Sequence, residues 1–360
     1  MDDLDLYEIT RGDTLYKVGI CGHFGEGENF LDGQTVKTKI LTKELTKKLD
    51  KKNIQIVDTH GWKKTPFSLL IKCIMLSSKC KNIIILPAHK GIKVFALLFV
   101  ILNKAFNRKL HYVVVGGWLP ELLERNDALR SRLSKFDGVY VETYSMLEKI
   151  KEQGLTNVKY LPNFKDLCIL NEEELIYQNK EPYKLCTFSR VSKEKGIEDA
   201  IEAVTNVNCF LGRIAYTLDI YGQVEKKYKE RFESLKKEFP EYITYKGVVD
   251  YNRSVDVLKD YFALLFPTYY SGEGFPGTIL DAYASGLPVI ATNWRYNPEI
   301  IQHQVDGIIY EYKNKDNLQK ILTEIREKPE VILNMKKNCL KRAKQYKPEV
   351  VISEFINYLG

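Results

Sequence analysis

The chain has 360 residues, of which 44% are hydrophobic and 28% charged, and its formal net charge at pH 7 is +7. This length suits two domains, and the composition is that of a folded globular protein, which excludes disordered and fibrous classes. The seven cysteines are scattered without a Cys-x-x-Cys pair, so neither a zinc site nor a disulfide framework is expected, and a reducing cytosol fits.

Short apolar runs alternate with longer amphipathic stretches along the whole chain. Most of the runs lack in–out alternation, which indicates strands buried on both faces of a parallel sheet. The strands predicted in the first half are 17–21, 54–58, 83–86, 112–115, 138–142 and 158–161. Those in the second half are 184–188, 217–221, 243–246, 263–266, 288–291 and 307–310. Helical periodicity is seen at 35–48, 92–104, 145–153, 197–204 and 349–359.

Repeated β-α units predict an α/β protein with two Rossmann-like, doubly wound parallel-sheet domains, which bind ligands at the carboxyl ends of their strands. We place the N-terminal domain at 1–165, a polar linker at 166–183 and the C-terminal domain at 184–346. The last segment, 347–360, is expected to join the N-terminal domain as a helix.

The N-terminus and the longest apolar run indicate where in the cell the chain is expected. The acidic N-terminus lacks a hydrophobic signal core, and the apolar run 94–102 is shorter than the about 20 residues that cross a bilayer. We therefore expect a cytoplasmic chain without a transmembrane helix.

Positive charge is concentrated in the first half. Residues 1–165 contain 27 Lys and Arg against 18 Asp and Glu, whereas the remainder contains 27 against 29. Within 51–110 there are 12 basic residues and one acid, Asp58. Two interpretations stay open: a solvated face, or a surface for anionic phospholipid, where each basic residue adds roughly 1 kcal/mol. No recognition motif accompanies the charge, so nucleic acid is not expected as a partner.

A glycine-rich turn after the predicted strand 263–266 leads into a helix that begins near Gly277 and Thr278 and ends near Gly286. Free N–H groups at such a helix start can bind phosphate oxygens. Glu273 before the helix and Asp281 within it can accept hydrogen bonds from hydroxyl groups. Taken alone, the two acids are better explained as a turn residue and an exposed helix residue.

A second candidate segment follows the first strand of the C-terminal half. Arg190 and Lys195 lie in the loop after that strand, and a helix starts at Gly196. Taken alone, the two residues are better explained as surface cations, although a loop at the carboxyl end of a parallel strand is also a usual place for a ligand site.

The stretch 273–292 resembles the signature of the family-4 (group 1) retaining glycosyltransferases of the GT-B fold, of the bacterial polysaccharide-assembly type, in which two acids are separated by seven residues. Arg190 and Lys195 match the Arg and Lys that hold the donor diphosphate in that family. The resemblance spans 183–345 well and the N-terminal half more loosely.

This resemblance implies two Rossmann-like domains that face each other across a cleft. It implies catalytic roles for Arg190, Lys195 and Glu273, with Glu273 on the donor sugar and Asp281 on the ribose. Further expected nucleotide-sugar contacts, carried over from weaker matches and from the glycine-rich first loop, are Gly25, Gly27, Gly222, Val248, Gly277 and Thr278. Gly33, Gln34 and Lys37 are expected at the cleft wall.

The chain departs from the family at two places. Many relatives carry a His near the transferred sugar, where this sequence has Gly116, Gly117 and Trp118, and we expect His111 at the start of its strand, at the opposite end of the sheet. The second acid is Asp281 and not the commoner Glu. Trp118 and Glu121 are candidates for the acceptor pocket, and a turn packed on the core explains them equally well.

The resemblance implies metal-independent, retaining transfer of a sugar from a nucleotide diphosphate sugar to a hydroxyl of a lipid-linked glycan acceptor in cell-surface polysaccharide assembly. The donor is a substrate, and no further cofactor is expected. Such an enzyme would be cytoplasmic, or peripheral at the inner face of the membrane. Two alternatives stay open: a catalytically inert GT-B partner subunit of another glycosyltransferase, and a sugar phosphorylase or nucleotide-sugar epimerase on the same architecture.

Overall fold

The structure is a computed structural model of the chain, and it describes residues 15–25, 27, 33–312 and 316–360. The first six strands form one parallel sheet in the spatial order β2-β1-β3-β4-β5-β6. These strands are β1 (Tyr16–Gly22), β2 (Ile54–Asp58), β3 (Cys80–Ile85), β4 (Lys109–Val113), β5 (Gly138–Val141) and β6 (Val158–Tyr160). The helices between them are α1 (Gly33–Leu49), α2 (Pro66–Lys79), α3 (Ile92–Phe106), α4 (Leu119–Glu124), α5 (Asp127–Leu133) and α6 (Tyr144–Glu152).

A second parallel sheet has the spatial order β12-β11-β10-β7-β8-β9. Its strands are β7 (Tyr183–Phe188), β8 (Tyr216–Tyr221), β9 (Ile243–Gly247), β10 (Ala263–Phe266), β11 (Val289–Thr292) and β12 (Gly307–Tyr310). Its helices are α7 (Ile197–Leu211), α8 (Lys229–Lys237), α9 (Ser254–Leu258), α10 (Gly277–Ala284) and α11 (Asn297–Ile300), followed by α12 (Asp316–Glu327), α13 (Glu330–Gln345) and α14 (Pro348–Ile356).

The predicted α/β class with two doubly wound parallel sheets is confirmed, and each of the twelve predicted strands is present. Two strands begin earlier than predicted: β3 begins at Cys80, three residues before the expected start at Ile83, and β4 begins at Lys109, three residues before the expected start at Tyr112. The polar residues Lys109 and His111 concealed the beginning of β4, although His111 is fully buried. His111 is therefore the middle residue of β4 and not its first.

The strand order identifies where each sheet can bind a ligand. In the second sheet β7 and β10 are neighbours, and the chain winds away from this pair in opposite directions. Such a topological switch point is the usual ligand site of a doubly wound sheet, because the loops at the carboxyl ends diverge and leave a crevice. In the first sheet, β1 and β3 form the corresponding pair.

The C-terminal helix packs against the first sheet, and the segment between the sheets packs against the second domain. Ile352 and Phe355 of α14 share a buried cluster with Val18 and Ile20 of the first sheet. In the intervening segment, the Leu170 N–H donates to the Ala284 carbonyl at 3.0 Å, and the Leu170 side chain is buried. The chain thus returns to its first sheet after completing the second.

Within the described ranges, none of the helices combines the length and the apolar character needed to cross a bilayer.

Candidate functional site

A cavity of about 360 Å³ lies between the two sheets, at the carboxyl ends of their strands. From the first domain it is lined by Lys37 of α1, by Glu142 after β5 and by residues 163–165. From the second domain it is lined by 188–190, Lys195, 249–251 and Ser254, and by the segment 272–278 with Asp281. The switch point of the second sheet therefore opens into a cleft whose opposite wall is the first domain.

Lys195 and Glu273 form a buried ion pair in this cleft. Lys195 Nζ lies 2.6 Å from Glu273 Oε2, and each side chain is 9% exposed. The Thr268 hydroxyl, just after β10, donates to the same carboxylate oxygen at 2.9 Å. The sequence analysis expected both residues in one site, and they are in direct contact. The second carboxylate oxygen, Oε1, is left for a further donor such as a sugar hydroxyl.

Arg190 is the exposed cation of the site. Its guanidinium lies 5.3 Å from the centre of the Tyr270 ring, and Lys195 Nζ lies 5.2 Å from the same ring. An aromatic face attracts cations, so Tyr270 keeps the two positive groups near each other. The first turn of α10, which contains Gly277 and Thr278, lines the same cavity. Two cations and the amide end of a helix together suit a diphosphate.

Thr278 has a structural bond as well, because its hydroxyl donates to the Phe188 carbonyl at the end of β7. That bond fixes the start of α10 against the strand that precedes Arg190.

Asp281 is held by residues that the sequence analysis did not single out. Lys165 Nζ lies 2.6 Å from both carboxylate oxygens, and the Ser254 hydroxyl donates to Oδ1 at 2.8 Å. Lys165 also lies 4.7 Å from the centre of the Tyr251 ring. These bonds leave one lone-pair position on Oδ2, which is enough for a single ribose hydroxyl.

The first domain contributes a second buried ion pair. Lys37 Nζ lies 2.6 Å from Glu142 Oε1, and the two side chains are 2% and 3% exposed. The other oxygen, Glu142 Oε2, accepts the Phe275 N–H at 3.0 Å. Since Phe275 lies two residues after Glu273, Glu142 links the first domain to the loop that carries the Glu273 carboxylate.

The domains also touch through glycines. A Cβ atom added to Gly117 would lie 1.9 Å from the Glu273 carbonyl oxygen, and one added to Gly274 would lie 2.4 Å from Glu142 Oε2. Backbone at this distance leaves no room for a side chain. The Gly116-Gly117 turn is the contact surface for the Glu273 loop.

Two residues of the stretch 295–301 add polar bridges. Arg295 donates to the Gly117 carbonyl at 2.6 Å and to Glu121 Oε1 at 2.8 Å. The Glu299 carboxylate accepts the Ser145 N–H at 3.0 Å, at the first turn of α6. A carboxylate at a helix N-terminus is favourable, so Glu299 caps a helix of the opposite domain.

Four predicted contacts lie away from the cavity. Gly25 and Gly27 have φ values of 63° and 86° and line a separate cavity of about 830 Å³ with Asp58. Gly222 packs against the backbone of Ser189, where a Cβ atom would lie 1.7 Å from the carbonyl oxygen. Val248 is 55% exposed, and its neighbour Val249 lines the cavity of about 360 Å³.

An aromatic cavity of about 580 Å³ adjoins the cavity of about 360 Å³ on the side of the first domain. The two share Gly272, and the second cavity is lined by Trp62, His89, Trp118 and Tyr270 together with His23 and Gln34. Trp118 donates its indole N–H to the Val115 carbonyl at 2.8 Å, so its ring orientation is fixed. Glu121 accepts from Arg295 instead of lining this cavity.

His111 belongs to the core of the first domain. Its Nε2–H donates to Asn82 Oδ1 at 3.1 Å, and Nδ1 accepts from the Tyr140 hydroxyl at 3.0 Å. Asn82 in turn donates to the Lys17 carbonyl, which fixes the orientation of its amide. Burial lowers the pKa of His111 from its usual 6.5 to about 4, so the ring is neutral.

Within the part of the chain that the structure describes, no group of three or more His, Cys, Asp or Glu side chains is arranged to hold a metal ion.

Comparison with known proteins agrees with this geometry. Residues 172–346 match the family model of the group 1 glycosyl transferases. The chain is 28% identical over 221 residues to the "UDP-N-acetylglucosamine--peptide N-acetylglucosaminyltransferase GtfA subunit" of Streptococcus agalactiae, which covers 60% of this chain and 41% of the relative. It is 24% identical over 211 residues to the "N,N'-diacetylbacillosaminyl-diphospho-undecaprenol alpha-1,3-N-acetylgalactosaminyltransferase" of Campylobacter jejuni, covering 58% and 52%. The chain thus spans about half the length of these curated relatives.

A solved structure shares the whole architecture. The Anabaena protein HepE, crystallised in complex with UDP, superposes with a TM-score of 0.76 over 95% of this chain and 99% of its own, at 14% identity. The two parallel-sheet domains are therefore those of the GT-B fold, and residues 172–346 of this chain are a group 1 glycosyltransferase domain.

Proposed function

We propose that this chain transfers a glycosyl group from a nucleoside diphosphate sugar to an acceptor hydroxyl, with retention of anomeric configuration. The observation that carries the proposal is the buried Lys195–Glu273 pair, next to Arg190 and the start of α10, at the switch point of the second sheet. The anion site would bind the diphosphate, and the carboxylate in contact with it would bind the sugar. We therefore call this cavity the donor cavity.

In this reaction the bond from the anomeric carbon to the β-phosphate oxygen breaks, and a bond to the acceptor oxygen forms. The negative charge that develops on the departing diphosphate would be stabilised by Arg190, Lys195 and the first amides of α10. Fixed donors aimed at developing charge lower a barrier without reorganising in the transition state. The leaving phosphate oxygen would take the proton of the acceptor hydroxyl.

The two carboxylates would orient the donor. Glu273 Oε1 would accept a hydroxyl of the sugar, while Lys195 and Thr268 keep Oε2 in place. Asp281 Oδ2 would accept one ribose hydroxyl beside Lys165.

Uracil is the first base to test. The name of the Streptococcus agalactiae relative specifies UDP-N-acetylglucosamine as its donor, and HepE was crystallised with UDP.

For the acceptor we propose a lipid-linked glycan in cell-surface polysaccharide assembly, met at the inner face of the membrane. The name of the Campylobacter jejuni relative specifies a diphospho-undecaprenol-linked sugar. The excess of basic residues in the first domain fits an anionic lipid carrier.

An inert partner subunit is the second candidate. The observation that favours it is that Lys165 and Ser254 together leave one lone-pair position on the Asp281 carboxylate. Such a subunit would keep the fold without binding a donor.

A thermal-shift panel with UDP, GDP, ADP, dTDP and their sugar conjugates separates the two candidates. A ligand at about 100 times its Kd stabilises a protein by about 2.7 kcal/mol, which raises Tm measurably. We expect one nucleotide to raise the Tm of the wild type and to lose most of that effect in Arg190→Ala.

Arg213→Ala is the matched control, because Arg213 is an exposed cation that pairs with Glu181 at 2.9 Å on the outside of the second domain. No shift with any nucleotide would favour the inert subunit, and a shift equal in Arg190→Ala and wild type would place the nucleotide elsewhere.

A further inference from the structure

The outer surface of two neighbouring helices of the first domain is apolar. On α2, Phe67, Leu70, Ile71 and Ile74 are exposed and recur at i, i+3, i+4 and i+7, which places them along one side of the helix. Phe67 is 80% exposed and Ile71 59%. The opposite side of α2 is already used, since Leu69, Cys73 and Leu76 are buried against the sheet.

The next helix repeats this arrangement. On α3, Val94, Leu97 and Ile101 are exposed at i, i+3 and i+7, while Phe95 and Phe99 are buried. The two helices are in contact. We call the exposed apolar residues of both helices the α2–α3 face; they are Phe67, Leu70, Ile71, Ile74, Met75, Val94, Leu97 and Ile101. A surface helix of a soluble protein normally turns charged residues outward, so this face calls for a partner.

The charges on the two helices and on the chain between them are all positive. From residue 59 to residue 120 the sequence contains no Asp or Glu. Exposed lysines lie on and beside both helices: Lys63, Lys64, Lys72, Lys79, Lys90, Lys93 and Lys104. An apolar surface with a border of lysines matches a layer of acyl chains beneath anionic headgroups. A second copy of the same face would instead bring the lysines against each other.

From the apolar stripes and their lysine border we infer that the α2–α3 face docks on the surface of an anionic lipid bilayer. The exposed side chains insert among the headgroups and upper acyl chains, and the lysines contact phosphate groups. This binding needs no transferase activity, so it goes beyond the proposed reaction.

Docking through this face would bring a membrane-bound acceptor close to the site of the proposed reaction. The aromatic cavity that adjoins the donor site is lined by Trp62 and Lys63, just before α2, and by Lys90 and Gly91, just before α3. A glycan carried on a membrane lipid would therefore enter from the edge of the face and meet the donor cavity at Gly272. This part of the inference depends on the proposed function.

Co-sedimentation of the full chain with vesicles tests the docking surface. We expect binding to vesicles of phosphatidylglycerol and phosphatidylcholine in equal parts, and weak binding to phosphatidylcholine alone. Binding should weaken from about 0.1 M to about 1 M salt, as the Debye length falls from about 10 to about 3 Å. The double variant Phe67→Ser with Ile71→Ser should reduce the partition coefficient at least about tenfold.

Lys64→Glu with Lys93→Glu should reduce binding to anionic vesicles and also its dependence on salt. The control is Phe210→Ser on α7, since Phe210 is a 78% exposed aromatic residue of the other domain. It should bind vesicles as the wild type does.

The inference is overturned if the wild type stays in the supernatant with anionic vesicles, or if the Phe67 and Ile71 variant binds as well as Phe210→Ser does. It is likewise overturned if light scattering shows a dimer that the Phe67 and Ile71 variant dissociates, since the face would then be a contact between copies. The nucleotide-induced shift in Tm, measured on the same variants, should be unchanged, so a failure of docking is distinguishable from a failure of the donor site.

Discussion

Three buried or nearly buried lysine–carboxylate pairs line the cleft: Lys195 with Glu273, Lys165 with Asp281 and Lys37 with Glu142. Each carboxylate therefore has a cation before any donor arrives. Removing one partner of such a pair leaves an uncompensated buried charge, which costs more than the pair contributes as a whole. Variants of these residues consequently report on stability as well as on binding.

The Lys165–Asp281 pair gives the clearest test of this coupling. We expect Lys165→Met to lower the free energy of unfolding by about 3 kcal/mol, because the nearly buried Asp281 carboxylate loses its cation. Adding Asp281→Asn should restore much of the loss. Urea denaturation of the two single variants and the double variant measures the coupling.

The neighbouring pair Lys43–Asp166 is the control, since both side chains are about half exposed. Lys43→Met should cost less than about 1 kcal/mol. Equal losses in Lys43→Met and Lys165→Met would contradict the burial argument.

His111 predicts a dependence of stability on pH. Its pKa is about 4 in the folded chain and about 6.5 when unfolded, so the unfolded state binds the proton more readily. The stability that depends on the neutral ring is present above pH 6.5 and is lost as the pH falls toward 4. Between pH 7 and pH 5 we expect a loss of about 2 kcal/mol from this group.

Urea denaturation at the two pH values should show this loss in the wild type. In His111→Gln the loss should be smaller by about the same amount. An unchanged difference between the two pH values in that variant would show that other groups govern acid sensitivity.

At the scale of elements, the shape of the cleft depends on loops of the two domains that pack closely against each other. The turn after β4 packs its Gly117 on the Glu273 carbonyl, and Glu142 after β5 accepts from Phe275. Glu299 of α11 caps α6 from the other domain. Loops at the carboxyl ends of two sheets thus form one continuous contact, which sets the position of the Glu273 loop.

Gly117→Ala should push the turn after β4 away from the Glu273 loop. The added methyl group would lie 1.9 Å from the Glu273 carbonyl oxygen, so the two domains must move apart or the loop must shift. We expect kcat/KM for donor turnover to fall at least about tenfold, because displacements of about 1 Å at a reacting centre are costly. Binding of the nucleoside diphosphate should change little, since Arg190 and Lys195 lie together in the second domain.

Gly212→Ala is a suitable control, because Gly212 has a left-handed φ of 62° at the end of α7 with open space around it. It introduces backbone strain away from the cleft. A loss of turnover equal to that of Gly117→Ala would assign the effect to general destabilisation.

At the scale of the whole molecule, the sequence was sufficient for the fold because parallel strands buried on both faces appear as short apolar runs. It was also sufficient to place Arg190, Lys195 and Glu273 at one cavity, because those residues lie in short loops after β7 and β10. It did not reveal Lys165, which reaches Asp281 from 116 positions away in sequence. Glu142 was hidden because it directly follows the apolar residues of β5, and only the packing of the domains brings it to Phe275.

For two glycines of the first loop, the sequence predicted contacts with the nucleotide sugar, but the structure places them away from the donor cavity. Gly25 and Gly27 carry a familiar spacing, yet in the structure they line a cavity beside Asp58, whereas Gly33 lines the donor cavity together with Lys37 and Glu142. A glycine pattern predicts a turn that needs left-handed backbone, and the direction in which that turn faces depends on packing. Residues 26 and 28–32 of that loop lie outside the described ranges.

The most direct test of the whole account is release of nucleoside diphosphate from the nucleotide sugar that gives the largest shift in Tm, measured with wild type, Glu273→Gln and Glu241→Gln. Glu241 is an exposed turn residue of the second domain, so its variant is the matched control. We expect Glu241→Gln to match the wild type and Glu273→Gln to lose about tenfold to hundredfold in kcat/KM, as removal of a charged hydrogen-bond acceptor implies. Turnover that is equal in all three would contradict the assignment of the Lys195–Glu273 pair as the centre of the reaction.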